Sequence, residues 1–396
     1  DMATSWAFEM ENLILGWYVL VETGSVLLLT VFASLLYIGT LLAPMFGVMA
    51  DRVGHRNLLC AMRGFYAVLA ATIMILAYTD VLTPVHVLVI TALLGLVRPS
   101  DIGMRAALVG ETVPPIQLLA AMGIQRTTQD TARIAGALSG AGLVAVLGMG
   151  PAYTAVAALY VAAMLLTKAG GPRAKPAVAQ EAVPAPARAS PWRDLKEGLA
   201  YVWRTPHLLA LMCLAFLLNL TAFPLMHSLM PVVAKEVYLA DQTTLGYMVA
   251  AASGGALLGS LVTSRVGHQI PAARLMLVAC AAWYAALLLF AHMPHPASGI
   301  PVLVLAGIAQ AVGQVPMAAL LLRTSDERFR GRIMGIRMLA IYGNLPGLLM
   351  SGPLIANFGY PATATLYCVL GLAFLWFVAT RWRTHLWHAD ALANAR

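Results

Sequence analysis

Two clusters of ionisable residues lie inside long apolar runs of this sequence. In each cluster an aspartate lies between two arginines at spacings of three and four residues, so all three side chains project from one face of a helix. Charged groups in apolar helices are costly, and they mark ion pathways or proton relays. We therefore predict a charge network formed by Arg98, Asp101 and Arg105 together with Arg126, Asp130 and Arg133.

Two carboxylates on the first apolar run could balance these clusters. Each cluster has two cations and one anion, and Glu9 and Glu11, next to Asn12, would supply the missing negative charges. An arginine beside a carboxylate favours its ionised form, and withdrawal of the arginine favours proton uptake. We predict that Asp130 and one of the two glutamates exchange protons. The alternative is a permanent ion-pair network that only holds helices together.

The second half of the sequence has neutral polar groups in the middle of its apolar runs instead of carboxylates. Prolines such as Pro224 and Pro316 lie near them, and proline allows membrane helices to bend. We predict that these neutral groups bind substrate together with Asn12 and Tyr37. They are Asn219, His227, Gln310, Gln314, Tyr342 and Asn344.

The composition places all these residues in a membrane protein. The chain has 396 residues, of which 60% are hydrophobic and 11% are charged, and its mean hydropathy is +0.80. Soluble proteins have about 25% charged residues, so this chain has too few charged residues to form the surface of a soluble protein. Ordinary soluble enzymes and nucleic-acid-binding proteins are therefore excluded, and the net charge of +8 reports orientation in the membrane.

Apolar runs of the roughly 20 residues needed to cross a bilayer occur twelve times. Lys and Arg concentrate in alternate loops, which places both termini in the cytoplasm. The first run begins at once, so we expect a short cytoplasmic segment to precede it in the natural protein. The predicted spans are 2–21, 26–50, 58–79, 85–109, 117–148, 151–168, 207–234, 244–264, 272–293, 300–323, 332–356 and 361–380.

A Pro- and Ala-rich linker divides the spans into two groups of six. Arg52-Val53-Gly54-His55 recurs as Arg265-Val266-Gly267-His268, in each half between the second and third span. The recurrence indicates a parallel repeat of two halves. We predict a six-helix bundle at 1–168, a cytoplasmic linker with a short surface helix at 169–206, a second six-helix bundle at 207–380 and a cytoplasmic tail at 381–396.

The loop after the second predicted span resembles a family signature. The run GVMADRVGHR is similar to the Gly-x-x-x-Asp-Arg-x-Gly-Arg-Arg/Lys motif of the major facilitator superfamily, with His55 in place of an arginine. The resemblance implies an all-α membrane protein, with twelve transmembrane helices in two pseudo-symmetric six-helix bundles, that works as a secondary transporter. It also implies a cytoplasmic gate formed by Gly47, Asp51, Arg52, Gly54 and Arg56.

Three further segments resemble a subgroup of exporters. Thr23-Gly24-Ser25, the stretch from Arg105 to Pro114 and the run from Glu327 to Met334 are similar to enterobactin-type siderophore exporters and macrolide efflux proteins. The subgroup implies proton-coupled export of an amphipathic small molecule by alternating access in a bacterial inner membrane. Ala137 stands where such exporters often have proline, which leaves the direction of transport open.

Other functions stay open on the sequence alone. The arginines also suit uptake or facilitated transport of a small organic anion, and a transport-like membrane receptor would have the same fold. No HExxH, GxSxG or P-loop motif indicates an enzyme. We expect a monomer whose partners are a small-molecule substrate, protons and membrane lipids, with no nucleic acid and no cofactor. A metal site is not expected, because the cysteines are isolated: Cys60, Cys213, Cys280 and Cys368.

Overall fold

Apart from short connections, the described residues of the computed structural model are all helical. They fall into two compact units, one within Asp1–Gln180 and Pro231–Ser253 and the other within Glu181–Met230 and Gly254–Arg396. The structure describes residues 2–112, 118–169, 191–266, 270–324, 333, 336, 337 and 339–385.

The first unit contains seven helices from the N-terminal part of the chain. A 3₁₀ turn at Ile38–Leu42 joins the second and third helices, so the second predicted span is bent. The helices are α1 (Met2–Thr23), α2 (Val26–Leu35), α3 (Ala43–Val53), α4 (His55–Tyr78), α5 (Pro84–Thr112), α6 (Leu118–Leu147) and α7 (Met149–Ala169).

The later helices begin after the linker, whose residues 170–190 lie outside the described part of the chain. Two π-helical turns, Pro224–Ser228 and Val233–Val237, flank a very short helix. The helix Gln242–Val266 is divided between the two units. The helices are α8 (Pro191–Arg204), α9 (Pro206–Phe223), α10 (Met230–Val232), α11 (Gln242–Val266), α12 (Ala272–Ala291), α13 (Pro296–Arg323) and α14 (Asn344–Arg381).

The observed helices agree with the predicted spans. Nine helices among the described residues are long and apolar enough to cross a membrane. One of them, Ile341–Arg381, contains most of the predicted span 332–356 and all of the span 361–380, and Gly359 breaks the helix between them with φ 78° and ψ 166°. The two remaining spans are α1, whose hydropathy is lowered by its polar residues, and the bent segment formed by α2 and α3. Together these helices account for the twelve predicted spans.

Two glycines of α6 allow this helix to lie directly against α1. A Cβ atom at Gly136 would lie 2.7 Å from the Cβ atom of Glu9, and one at Gly140 would lie 3.1 Å from the Cα atom of Met10. Small residues at such positions let helix backbones approach closely. The close approach places the ionisable face of α6 next to the glutamates of α1.

Candidate functional site

A charged cavity of about 140 Å³ lies inside the first unit, among α1, α4, α5, α6 and α7. Six of the eight residues predicted to form the charge network line it. The structure therefore brings together residues that the sequence spreads over three helices. The six residues are Glu9, Arg98, Asp101, Arg105, Asp130 and Arg133.

The tightest ion pair at the cavity joins two residues of α5. Nε of Arg105 donates a hydrogen bond to Oδ2 of Asp101 at 2.6 Å, and Nη2 donates to the same oxygen. Nη1 of Arg105 donates to Oγ of Ser5 on α1 at 3.0 Å. The spacing of four residues aligns the pair on one helix face, and Asp101 is only 1% exposed.

A second ion pair connects α1 with α6. Nε of Arg133 donates to Oε1 of Glu9 at 3.2 Å, and the two side chains are 31% and 16% exposed, so the pair opens into the cavity. Asp130 lies about one turn away on α6, is buried, and also interacts with a neighbouring group. Arg126 is on the same helix, but its side chain lies outside the described part of the structure.

Glu11 differs from the prediction that both glutamates balance arginines. Its Oε2 atom accepts a hydrogen bond from the hydroxyl of Tyr160 at 2.8 Å, and the residue is 3% exposed. Within the described residues, Oε1 has no hydrogen-bond partner. The reason is helical geometry, because two residues along a helix are about 200° apart. Glu9 faces α6, whereas Glu11 faces α7.

Arg98 differs from the other two arginines of the cavity. Its guanidinium group lies over the ring of Phe8. Nη1 of Arg98 is buried and has no hydrogen-bond partner among the described residues. The predicted triad of α5 is therefore an Asp101–Arg105 pair and a separate arginine.

Several aromatic and hydroxyl side chains at this site were missed in the sequence. Tyr66 and Tyr160 line the cavity with their rings 5.6 Å apart, and Ser5 and Phe8 contact the arginines. These residues lie in apolar runs, where aromatic side chains usually serve packing. For the tyrosines the usable signal was the hydroxyl group, because a buried tyrosine hydroxyl usually finds a hydrogen-bond partner.

The residues predicted to form a gate lie around the end of α3. Gly54 has φ 89°, in the left-handed region that favours glycine. Nε of Arg56 donates to the carbonyl of Thr167 at 3.2 Å, and Nη2 donates to that of Lys168, so this arginine caps the C-terminal end of α7. Arg52 is exposed. Gly47 and Asp51 belong to α3, but their surroundings lie outside the described part of the structure.

Four of the predicted substrate-binding residues form two pairs in the second unit. Nδ2 of Asn344 donates to Oδ1 of Asn219 at 2.9 Å. The Nε2 atoms of Gln310 and His227 are 2.9 Å apart, and the imidazole ring stacks on Phe223 with ring centroids 5.3 Å apart. In this arrangement, part of the hydrogen-bonding capacity of these residues is used inside the unit.

The other predicted substrate-binding residues do not join these pairs. Asn12 lines a cavity of about 10 Å³ with Glu11 and Thr91. Tyr37 lies in the connection after α2, and Tyr342 lies in the 3₁₀ turn Ile341–Gly343. Gln314 lies about one turn after Gln310 on α13. Of the segments used for the subgroup resemblance, Glu327 to Met334 falls largely, and Pro114 wholly, outside the described residues.

Comparison with known proteins agrees with the fold and with the loop signature. The chain has the fold of nucleoside transporter NupG (16% identity, 96% of each chain, TM-score 0.66). It also has the fold of a D-xylose-proton symporter (11% identity, 95% of this chain and 94% of the other, TM-score 0.73). A third similar structure is a bacterial homolog of the human lysosomal transporter Spinster (13% identity, 100% and 97%, TM-score 0.67).

No curated protein sequence matches the chain. A family model matches it over residues 2–349 and 228–386, and its description is Major Facilitator Superfamily. These two matched ranges together cover nearly the whole chain, including the loop with the family signature. The protein is a multi-pass membrane protein and a transporter, and the chain belongs to the major facilitator superfamily.

Proposed function

We propose that the protein is a proton-coupled secondary transporter that exports an amphipathic small molecule, of siderophore or drug type, by alternating access. The observation that carries the proposal is the different surroundings of two acids on α1. Glu9 pairs with Arg133 at the cavity, whereas Glu11 accepts a hydrogen bond from a neutral tyrosine. Pairs of acids with contrasting surroundings are typical of sites that transfer protons.

Glu11 is the proposed proton carrier. Burial without a direct ion pair penalises the charged form of a carboxylate, so we expect this group to gain or lose a proton when its surroundings change. The titratable and charged groups that face it are Tyr160 and Tyr153 of α7 and Arg98 of α5. A shift of Arg98 toward or away from Glu11 during transport would therefore change the protonation of Glu11.

The Glu9–Arg133 pair is the proposed link between proton and substrate. It opens into the cavity, so a substrate that binds there can take the arginine away from the glutamate. The freed carboxylate then becomes a second proton acceptor. The neutral groups of the second unit, such as Asn219 and His227, would supply hydrogen bonds to the uncharged parts of the substrate.

The test is transport in reconstituted vesicles with an imposed pH gradient, with a macrolide and a catecholate siderophore as probes. We expect proton-driven accumulation by the natural sequence and its loss in E11Q, while exchange of labelled for unlabelled probe continues. E22Q is the matched control, because Glu22 is exposed at the end of α1. Full coupling in E11Q, or flux that is independent of the pH gradient, would contradict the proposal.

Uptake of a small organic anion is the second candidate. The three arginines at the cavity favour it, because guanidinium groups bind carboxylates and phosphates well. The same vesicles separate the two candidates by the direction of net flux relative to the gradient. Accumulation on the side opposite to that expected for proton exchange would favour uptake.

A further inference from the structure

Arg98 is a cation whose hydrogen-bonding capacity is not used up by the protein. Nη1 is buried and has no hydrogen-bond partner within the described residues, and the guanidinium carbon lies over the ring of Phe8. By contrast, Arg105 and Arg133 each donate to a carboxylate. Buried donors in native proteins are nearly always satisfied. A group that accepts a hydrogen bond from Nη1 of Arg98 therefore fits this site.

Tyr66 provides a second such donor on a neighbouring helix. It is 3% exposed, it lines the same cavity as Arg98, and its hydroxyl group has no hydrogen-bond partner in the described part of the chain. Its ring packs against Tyr160 with centroids 5.6 Å apart, which fixes its position. A cation and a hydroxyl at one cavity together suit an oxyanion.

The carboxylates around the cavity do not exclude an anion. Three carboxylates line it: Asp101 pairs with Arg105, Glu9 pairs with Arg133, and Asp130 interacts with a neighbouring group. Among the arginines of the cavity, Arg98 is therefore the one that forms no direct ion pair within the described residues, although the charges of Glu9 and Glu11 also act on it. An oxyanion next to it would complete a third pair.

The volume of the cavity and the residues that line it limit the size and the chemistry of the molecule that bears the oxyanion. Its volume is about 140 Å³, and a cavity of about 150 Å³ holds one benzene molecule. Apolar walls come from Phe8 and Leu94, and the ring of Tyr160 adds an aromatic surface. The space therefore fits a single ring with a small charged substituent.

We propose that this cavity binds an aromatic carboxylate, either as the substrate or as a part of it. The ring contacts Phe8 and Leu94, and the carboxylate accepts hydrogen bonds from Nη1 of Arg98 and from the hydroxyl of Tyr66. The proposal rests on the proposed function, since it names the chemical class that the transporter recognises at this site.

Binding of benzoate and benzamide to the purified full chain in detergent tests the proposal at constant pH, by calorimetry and by the melting temperature. Both probes have one ring, but only benzoate has a charged carboxylate. We expect benzoate to bind at least about tenfold more tightly, as the loss of a charge-assisted hydrogen bond predicts. Inorganic phosphate serves as an oxyanion without a ring, and we expect it to bind more weakly than benzoate.

Two variants locate the site. We expect Y66F to weaken benzoate binding about tenfold and R98Q about a hundredfold, from the strength of hydrogen bonds to charged groups. Neither variant should change the binding of benzamide. Y18F is the matched control, because the hydroxyl of Tyr18 donates to the carbonyl of Leu82 at 2.9 Å, away from the cavity.

Several results would overturn the proposal. They are equal binding of benzoate and benzamide, phosphate binding as tight as that of benzoate, and unchanged benzoate binding in Y66F. If R98Q does not elute as a folded protein, Y66F alone decides the question. Because no pH gradient is used, benzoate binding without proton-driven transport supports this site and contradicts only the proposed coupling. Coupled transport without benzoate binding contradicts only this site.

Discussion

The buried polar groups of the two units differ in kind. Around the cavity of the first unit, arginines pair with carboxylates, as in Arg105 and Asp101. In the second unit, amides pair with an amide or an imidazole, as in Asn344 and Asn219. A buried ion that loses its partner is left with a large desolvation cost, whereas an unpaired amide costs less. This difference supports our proposal that the first unit responds to protons and charge and that the second recognises the substrate by shape and hydrogen bonding.

Removal of one partner from the α5 ion pair should give the largest loss of stability. R105Q leaves Asp101 charged and buried, and we expect it to lower the free energy of unfolding by about 3–5 kcal/mol. The double variant D101N/R105Q should recover most of this loss, because neither residue is then charged. Denaturant unfolding of the purified protein in detergent measures both. An R105Q protein as stable as the natural sequence would mean that Asp101 reaches water, and the contrast between the units would disappear.

The corresponding change in the second unit should have a smaller effect. N344L leaves the side chain of Asn219 without its amide partner, and we expect a loss of about 1–2 kcal/mol. The double variant N219L/N344L should be close to the natural sequence. The same unfolding measurement applies. A loss as large as that of R105Q would show that amides and charges are equally demanding in this protein.

The exposed carboxylate of Asp241 adds to the comparison a polar group at a helix end, where a smaller effect on stability is expected. Oδ1 of Asp241 accepts hydrogen bonds from the backbone nitrogen and the hydroxyl of Thr244, at 2.9 and 2.8 Å, and these bonds lower the pKa of Asp241 below its ordinary value of 3.8. We expect D241A to cost about 1 kcal/mol at pH 7 through loss of the N-cap of α11.

The pH dependence of this variant follows from the sign of the pKa change. A lowered pKa in the folded state means that the stabilisation is complete above the unfolded pKa and is lost as the pH falls through the folded pKa. The stability difference between the natural sequence and D241A should therefore shrink below about pH 4. Unfolding curves at pH 7 and at acidic pH check this, and a difference that grows on acidification would contradict the assignment.

The smallest effect is expected for Lys235, a partly buried cation. Nζ of Lys235 donates to the carbonyl of Leu20 at 2.6 Å and lies 3.5 Å from that of Val21, at the C-terminal end of α1. A cation at this end interacts favourably with the helix dipole. We expect K235Q to cost about 0.5 kcal/mol, measured as a shift in melting temperature at low salt. K196Q on α8 is the control. A loss comparable to that of R105Q would place Lys235 among the buried charges.

The sequence predicted the positions of the helices well, because hydropathy reports burial in lipid directly. Its limits appear where local backbone chemistry interrupts a helix. Hydropathy alone does not reveal the π-helical turn at Pro224–Ser228 or the positive φ of Gly359. In α1 hydropathy has the opposite fault, because Glu9 and Glu11 lower the hydropathy of a segment that does form a predicted span.

For the candidate site, short-range pairs were predictable and long-range pairs were not. The spacing of Asp101 and Arg105 defines their pairing on one helix face. The partner of Glu11 is Tyr160, which is 149 residues away and has no charge. Charge balance therefore predicted an arginine where the structure has a tyrosine. Tertiary packing of α1 against α7 decides this contact, and one sequence contains no direct signal for it.

The glycines that bring α6 against α1 have a mechanical consequence. At Gly136 and Gly140 the two helices are in contact without intervening side chains, and close-packed surfaces of this kind do not slide without clashes. We therefore expect α1 and α6 to move together as one rigid body during any rearrangement of the protein. Spin labels placed on α1 and α6 should keep a constant separation under conditions that change the distances elsewhere in the molecule.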